Sequence, residues 1–349
     1  MIQYLKQDEK IKSRALYEEV FPDDQESFVD FYYADRAKKN KILASVEDGE
    51  VVAMLHRNPY QVVVKDQVWK IDYIACVGTT PRRRHQGYMS RLLSRCFADM
   101  HMERMGFSFL VPAHPSIYRP FDFTYICDLP QRALNERGQS HLNSRACIES
   151  SGECKDVARF AVQQLEKQYE VYTLRDEEYY RSLCREVRSG DGDLVLLRTR
   201  DDSEELVGIS AYYGAQGQEV REFITLPEYQ KDTGSPKPSV MGRIIHLEQF
   251  LSVIRLKEDS EVSQMELLIE VKDGFIRQNE GIFRWKLDRN GSEVSRVSRE
   301  ETFQPELSIG IADLTSWLFG YSIPQVSYHK QEIVDKIQPL QGVYFDEIV

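Results

Sequence analysis

One segment in the first third of the chain constrains the fold most strongly. An apolar, strand-like run from Ile71 to Val77 leads into a basic turn that ends at Gly87. The residues from Tyr88 to Met105 then carry apolar side chains at helical spacing, and Phe107–Val111 reads as a short buried strand. A strand, a turn and an amphipathic helix in this order predict a sheet with helices packed on its faces.

The same segment predicts a site for an anion. The backbone N–H groups in the first turn of a helix have no partner within the helix, and the helix dipole is positive there. Gly87 would let the backbone approach an anion where a Cβ would intrude. An ordinary loop with a solvated basic run is the alternative, but the strand before the turn and the helix after it favour a diphosphate site.

The composition narrows the class of protein. The 349 residues exceed one ordinary domain, and 42% hydrophobic with 29% charged residues is typical of a globular protein. A formal net charge of −11 argues against a nucleic-acid protein and fits a cationic small partner. No apolar run approaches the length of a membrane span, and the first ten residues lack a signal sequence, so we expect a cytoplasmic protein without a membrane partner.

The cysteines predict neither a disulfide framework nor a metal site. They form no CxxC pair and have no histidine at ligand spacing, so we interpret them as reduced thiols. The six are Cys76, Cys96, Cys127, Cys147, Cys154 and Cys184. His85 and His114 stand singly in the sequence, which favours solvated or hydrogen-bonded rings over metal ligands.

The periodicity divides the chain into three sections, residues 1–138, 139–237 and 238–349. Strand patterns with turns between them fill much of each, and a linker-like stretch rich in proline precedes the third. The third section is predicted to begin with a helix over Ile244–Ile254, and Gly106 is predicted to end the helix of the first section. The last residues, Gln341–Val349, are strand-like, so we expect the α-carboxylate to have a fixed position.

Residues 71–123 resemble the acetyl-CoA-binding core of the GNAT superfamily. The resemblance rests on Pro81-Arg-Arg-Arg-His-Gln-Gly87 and on Ile117-Tyr-Arg-Pro-Phe-Asp-Phe123. The whole chain is similar to the Eis (enhanced intracellular survival) family, which implies a homohexamer. It also implies an α+β fold of tandem GNAT-like domains, with mixed central sheets flanked by helices, followed by a sterol-carrier-protein-like α+β domain. The second GNAT-like domain, residues 139–237, would lack the cofactor motif.

The resemblance implies a role for individual residues. Tyr118 would be the general acid, and the α-carboxylate of Val349 the general base. The residues that would line the pantetheine arm are Val77, Gly78, Thr79, Ala113 and His114, and those that would hold the diphosphate are Arg84, His85, Gln86, Gly87, Tyr88, Met89 and Ser90. This sequence departs from the family's motifs at two positions. Met89 stands where the family usually has Gly or Ala, and Asp122 stands where the family has a glycine.

The function implied is acetyl transfer from acetyl-CoA to a primary amine by direct attack, with no metal. The acceptor would be an aminoglycoside, a polyamine or a lysine-type amine. A non-catalytic acyl-CoA-binding regulatory protein is the alternative, and Met89 and Asp122 are its support. A lipid carrier is a third reading, which requires an enclosed apolar cavity in residues 239–349.

Overall fold

A computed structural model describes residues 1–215, 217, 219–298 and 304–347. The α+β class predicted from the sequence is confirmed. The strands are β1 Ile2–Tyr4, β2 Lys41–Glu47, β3 Glu50–Val64, β4 Gln67–Thr79, β5 Phe107–Leu110, β6 Thr124–Leu129, β7 Arg132–Leu134, β8 Leu142–Ala146, β9 Val171–Thr173, β10 Asp193–Thr199, β11 Leu206–Tyr213, β12 Glu219–Thr225, β13 Gln230–Asp232, β14 Lys237–Ile244, β15 Arg255–Leu256, β16 Gln264–Lys272, β17 Gly281–Asp288, β18 Ser292–Arg296, β19 Leu307–Gly310, β20 Ile337–Gln338 and β21 Val343–Tyr344.

The helices cover the sheets and connect them. They are α1 Arg14–Val20, α2 Glu26–Phe31, α3 Ala37–Lys39, α4 Tyr88–Met102, α5 Pro115–Tyr118, α6 Glu136–His141, α7 Glu153–Leu165, α8 Glu177–Ser189, α9 Leu247–Leu251, α10 Ile311–Leu318 and α11 Tyr328–Lys336. No helix in the described ranges is long and apolar enough to cross a membrane.

The largest sheet draws strands from all three sections of the chain. Its main path runs β1-β2-β3-β4-β5-β14-β6, and β9 pairs with the far end of β3 and with β21. The first section therefore depends on β9 from the second section and on β14 and β21 from the third to complete its sheet.

A fork in the middle of this sheet creates the candidate site. β4 is parallel to β5 and is paired with it only at Tyr73 opposite Phe109, whereas β4 continues to Thr79 along β3. Beyond the paired residues no described strand pairs with the second side of β4, which leaves a wedge between β4 and the end of β5.

The boundaries between the buried hydrophobic clusters do not coincide with the boundaries between the three sections of the sequence. One cluster of buried side chains runs through the first and third sections without a break. The second section has its own core, in which α7 and α8 pack on the sheet β12-β11-β10-β8. The third section adds a separate sheet of order β18-β17-β16-β19.

Of two local predictions from the sequence, one is confirmed in part and one is wrong. The predicted helix Ile244–Ile254 is confirmed only over Leu247–Leu251, the short helix α9, and its first residue, Ile244, is instead the end of β14, which fills the gap between β5 and β6 and pairs with both. Gly106 does not end α4. Arg104 adopts the left-handed conformation there, at φ 58°, and a Cβ on Gly106 would lie 2.4 Å from the Trp69 ring, so this glycine permits close packing.

Candidate active site

A β-bulge bends β4 where the fork opens. The register of β3 against β4 slips between Met54 and His56, and Cys76 in the bulge has φ 50°. The Cys76 thiol donates to Tyr32 Oη at 3.3 Å, and the same hydroxyl lies 2.7 Å from His56 Nδ1. These buried contacts hold the bulge in place from behind.

The last residues of β4 form one wall of the wedge. Val77, Gly78 and Thr79 are all partly exposed. A Cβ on Gly78 would lie 2.8 Å from Val20 Cγ2, so this glycine lets α1 pack closely against the strand. The predicted pantetheine residues are thus placed along an open strand edge.

The basic turn has the backbone geometry of an anion site. His85 and Gly87 have φ 62° and 77°, and residues 82–87 are all exposed. The first bond of α4 runs from Arg91 N–H to Gly87 O at 3.1 Å. Among the described residues no acceptor is found for the backbone N–H groups of residues 85–90. A row of unpaired donors at a helix N-terminus attracts negative charge.

Side chains around the turn fix its shape and leave those donors open. Glu47, from the β2–β3 turn, pairs with Arg83 at 3.0 Å and accepts a hydrogen bond from the Tyr88 hydroxyl. Arg84 Nε donates to Thr79 O at 3.3 Å. Met89 packs against the core, as expected for a side chain that points away from the diphosphate.

Tyr118 lies at the end of α5, close to the bulge. Burial raises the pKa of Tyr118 to about 12, and the nearby Cys76 adds to the shift. Its ring meets Phe123 edge to face, with 6.0 Å between the ring centroids. No hydrogen bond from the Tyr118 hydroxyl is found to any described residue, so the proton on this oxygen is available to a ligand.

The short helix that carries Tyr118 begins at the end of the wedge. His114 Nδ1 accepts a hydrogen bond from Ser116 N–H at 3.3 Å and so caps α5. Ala113 and His114 are exposed next to the end of β5. These are the two residues that the resemblance assigns to the second wall of the pantetheine site.

Arg243 braces the turn after Tyr118 and was not identified from the sequence. Asp122 adopts the left-handed conformation, with φ 62° and ψ 22°, as its tolerance for that conformation allows. The buried Arg243 donates to Phe121 O at 3.0 Å, lies 3.6 Å from Asp122 and binds Asp273 at 2.5 Å. Burial raises the pKa of Asp122, and Arg243 opposes that shift. No sequence motif marked this arginine, because its partners come from distant segments.

The end of the described chain is held beside the fork. Phe345 stacks on Phe109 with 4.2 Å between the ring centroids. Arg175 binds Asp346 at 2.5 Å, and Glu347 is fully buried. Burial raises the pKa of Glu347, and the adjacent Asp346 raises it further. Val349, the predicted base, lies outside the described residues.

A carboxylate near the bulge is a second residue that the sequence analysis missed. Asp24 accepts a hydrogen bond from the Tyr17 hydroxyl at 2.6 Å and is exposed. Burial raises the pKa of Cys76 to about 12, and the charge of Asp24 adds to the shift. The Asp23-Asp24 pair, three residues after the end of α1, was the available signal.

Comparison with known proteins agrees with this geometry. Residues 1–126 match the family model of the acetyltransferase (GNAT) domain. The chain carries a GNAT acetyltransferase domain. Residues 247–338 match the sterol carrier protein domain, which confirms the predicted C-terminal fold. The comparison with curated proteins finds no match.

Solved structures share the GNAT-containing fold along the full chain. A conserved protein of unknown function from Enterococcus faecalis V583, a probable N-acyltransferase, has a TM-score of 0.77 at 14% identity and covers 99% of both chains. A GCN5-related N-acetyltransferase from Kribbella flavida has a TM-score of 0.73 at 14% identity, and the match covers 100% of this chain and 98% of that protein. Eis1 from Mycobacterium abscessus has a TM-score of 0.67 at 12% identity, and the match covers 98% of both chains. At these identities the likeness concerns the fold.

Proposed function

We propose that the protein transfers an acetyl group from acetyl-CoA to a primary amine. The observation that carries the proposal is the row of unpaired N–H groups over residues 85–90, which lies next to an open wedge between β4 and β5. The diphosphate of acetyl-CoA would bind at the N-terminus of α4, and the pantetheine arm would run along residues 77–79. The thioester would then reach the bulge beside Tyr118.

The chemistry gives each group a task. An amine attacks a thioester only when neutral, but a primary amine is mostly protonated near pH 7, so a base must take its proton. Attack produces an oxyanion, which a backbone N–H at the end of the wedge would stabilise. Tyr118 keeps its proton at neutral pH, because burial raises its pKa, and would supply that proton to the departing sulfur.

We assign the general base to the α-carboxylate of Val349. Two observations support this assignment. The chain is held firmly through Glu347, and Asp346 and Glu347 lie close in sequence to the carboxylate. Nearby negative charges and burial raise the pKa of a carboxylate, which at its free value of about 3.3–3.7 is a poor base.

The acceptor in this proposal is a cationic amine of the aminoglycoside, polyamine or lysine type. Asp24 presents an exposed carboxylate beside the bulge. A cleft of about 640 Å³ next to the basic turn is lined by the acidic side chains Glu19, Glu47, Asp48 and Glu50 and by the basic side chains Lys12, Arg82 and Arg83. The exposed carboxylates that are not paired within this cleft would attract a polycation more strongly than a neutral amine.

We further infer membership of the Eis family and assembly as a homohexamer in the cytoplasm. The full-length likeness to Eis1 and the order of the GNAT and sterol carrier protein matches support the family assignment. The lipid-carrier reading gains no support from the third section, where a cleft of about 820 Å³ is lined mainly by polar residues such as Gln264, Lys286 and Asp288.

The test is release of free CoA thiol from acetyl-CoA in the presence of single amines. We expect release to require protein, acetyl-CoA and amine together, and mass spectrometry to find the acetylated amine. Spermidine, an aminoglycoside and a lysine peptide would be compared with a neutral alcohol of similar size. Binding of acetyl-CoA without thiol release for any amine would overturn the proposal in favour of a non-catalytic acyl-CoA-binding protein.

A further inference from the structure

Three cysteines of the second section converge on one point. Cys147 follows β8, Cys154 lies in the first turn of α7, and Cys184 lies within α8. Their Sγ atoms all lie within 4.8 Å of one another, and those of Cys147 and Cys154 are 3.9 Å apart. The side chains are buried. No local spacing in the sequence predicts this cluster, because the fold brings the three residues together.

The spacing of the sulfurs suits a single metal ion. A thiolate binds zinc at about 2.3 Å, and three sulfurs placed in a plane at that distance from one ion stand about 4.0 Å apart. The 3.9 Å between Cys147 and Cys154 equals this separation, and the 4.8 Å limit on the other pairs requires only a small inward movement. All six cysteines are present as free thiols, so none of the three is already used in a disulfide.

Positive groups lie on one side of the cluster. Cys154 is the second residue of α7, where the helix dipole is positive. Arg188 Nη2 donates to Cys147 O at 2.6 Å, which keeps its charge beside the cluster. Positive groups on this side would offset the net negative charge of a metal–thiolate unit.

We propose that Cys147, Cys154 and Cys184 form a trigonal thiolate site for Cu(I). No fourth His, Cys, Asp or Glu ligand joins the group within the described ranges. Structural zinc is almost always held by four ligands, whereas soft thiolates select Cu(I), which accepts three. Apolar neighbours, among them Val157 and Val187, enclose the site. Binding converts three thiols and one Cu⁺ into a tris-thiolate complex, releases three protons and changes no oxidation state.

Such an ion would tie together three segments of the second section. It would join the connection between β8 and α7 to the helices α7 and α8, which pack on each other over the sheet. The site is separate from the wedge between β4 and β5, so we expect occupancy to stabilise the second section without taking part in acetyl transfer.

The test is a titration of the reduced, full-length protein with Cu(I) under anaerobic conditions, against a chromophoric Cu(I) chelator. We expect one equivalent to be retained, an ultraviolet thiolate-to-copper charge-transfer band, and a higher melting temperature. Cys184→Ser and Cys147→Ser should lose the retained equivalent. Cys96→Ser, which changes an equally buried thiol in α4, should keep it.

X-ray absorption on the wild-type protein provides a readout that does not depend on a variant that may unfold. Three sulfur neighbours at a single distance would support the trigonal site. The proposal is overturned if Cu(I) is not retained, if the Cys184→Ser protein retains it as well as the Cys96→Ser protein does, or if Zn(II) displaces it at equal concentration. A Cys147–Cys154 disulfide in the protein as isolated, found by peptide mapping, would also overturn it and indicate a redox pair instead.

Discussion

At the scale of single residues, Tyr118 stands out by its environment more than by its type. The chain has 19 tyrosines, and most buried tyrosines serve packing. Tyr118 is buried beside the bulge of β4, yet its hydroxyl finds no partner among the described residues. A phenol that keeps its proton and has no partner among the described residues can donate that proton to a ligand, and this is why we propose Tyr118 as the general acid.

Replacing Tyr118 by Phe separates binding from turnover. We expect the dissociation constant for acetyl-CoA to stay within about twofold, and kcat to fall by about 10²–10⁴, the usual contribution of a general acid. Tyr229→Phe is the matched control, because Tyr118 and Tyr229 are both 8% exposed and Tyr229 packs in a separate cluster of the second section. Calorimetry and a thiol-release assay measure the two quantities. Unchanged turnover in Tyr118→Phe would rule out the role.

The raised pKa of Tyr118 predicts the shape of the pH–rate profile. A phenol with its pKa raised to about 12 remains protonated through the whole neutral and mildly alkaline range. Activity should therefore rise with pH as the base and the amine lose their protons, and then level off without an alkaline decline up to pH about 10. Initial rates in overlapping buffers test this prediction. A descending limb near pH 8–9 in the wild type, absent from Tyr118→Phe, would contradict it.

At the scale of elements, the N-terminus of α4 is the feature on which cofactor binding depends. Two of the helices in the described ranges begin with a left-handed glycine as the N-cap residue, Gly87 for α4 and Gly152 for α7. Only the first follows a splayed strand and a basic turn. The chemical setting, and not the cap conformation, distinguishes the anion site from an ordinary helix start.

These two glycines offer a controlled test. They have φ 77° and 82°, and a Cβ on either would meet no atom within 4 Å. Gly87→Ala and Gly152→Ala should lose similar stability, about 1–3 kcal/mol for a strained residue. Only Gly87→Ala should weaken acetyl-CoA binding, by about tenfold or more, because its Cβ would occupy the space of the diphosphate. Equal affinities of the two variants for acetyl-CoA, measured by calorimetry, would contradict the assignment of the diphosphate site to the N-terminus of α4.

The elements also show what the sequence could and could not predict. The segment from β4 to β5 was predicted nearly residue by residue, because its turn, periodicity and motif are local. β14 was not predicted as a strand, and Arg243 within it was missed. Their roles come from pairing with β5 and β6 and from contacts with Asp122 and Asp273, which no local pattern encodes.

A substitution of Arg243 measures how much its contacts with Asp122 and Asp273 stabilise the fold. Replacing it by Leu leaves the buried Asp273 unpaired, and breaking a buried ion pair in this way costs about 3–5 kcal/mol. Arg284→Leu is the control, because it removes a surface pair with Glu266 worth at most about 1 kcal/mol. Denaturant unfolding measures both free energies. A loss in Arg243→Leu no larger than in the control would show that the arginine does not brace the Tyr118 turn.

At the scale of the whole molecule, all three sections build the candidate site. The wedge comes from the first section, buried arginines of the second section bind Asp346, and Phe345 from the third section stacks on Phe109 of β5. A change in any one section can therefore alter the site.

Extending the chain tests the proposed role of the Val349 carboxylate as the base. Appending four residues after Val349 should abolish acetyl transfer while leaving acetyl-CoA affinity and the melting temperature nearly unchanged, because the carboxylate is displaced. The same four residues placed before Met1, which is 85% exposed, should have no effect. Thiol release and thermal unfolding measure the outcome. Full activity in the C-terminally extended protein would exclude this carboxylate as the base.

The CoA site is tested by a calorimetric titration of acetyl-CoA into the purified protein, repeated with an excess of free CoA. We expect micromolar binding of one acetyl-CoA per chain, and free CoA should compete because both share the diphosphate and the pantetheine arm. Absence of binding would show that the turn over residues 85–90 and the wedge between β4 and β5 do not form a CoA site.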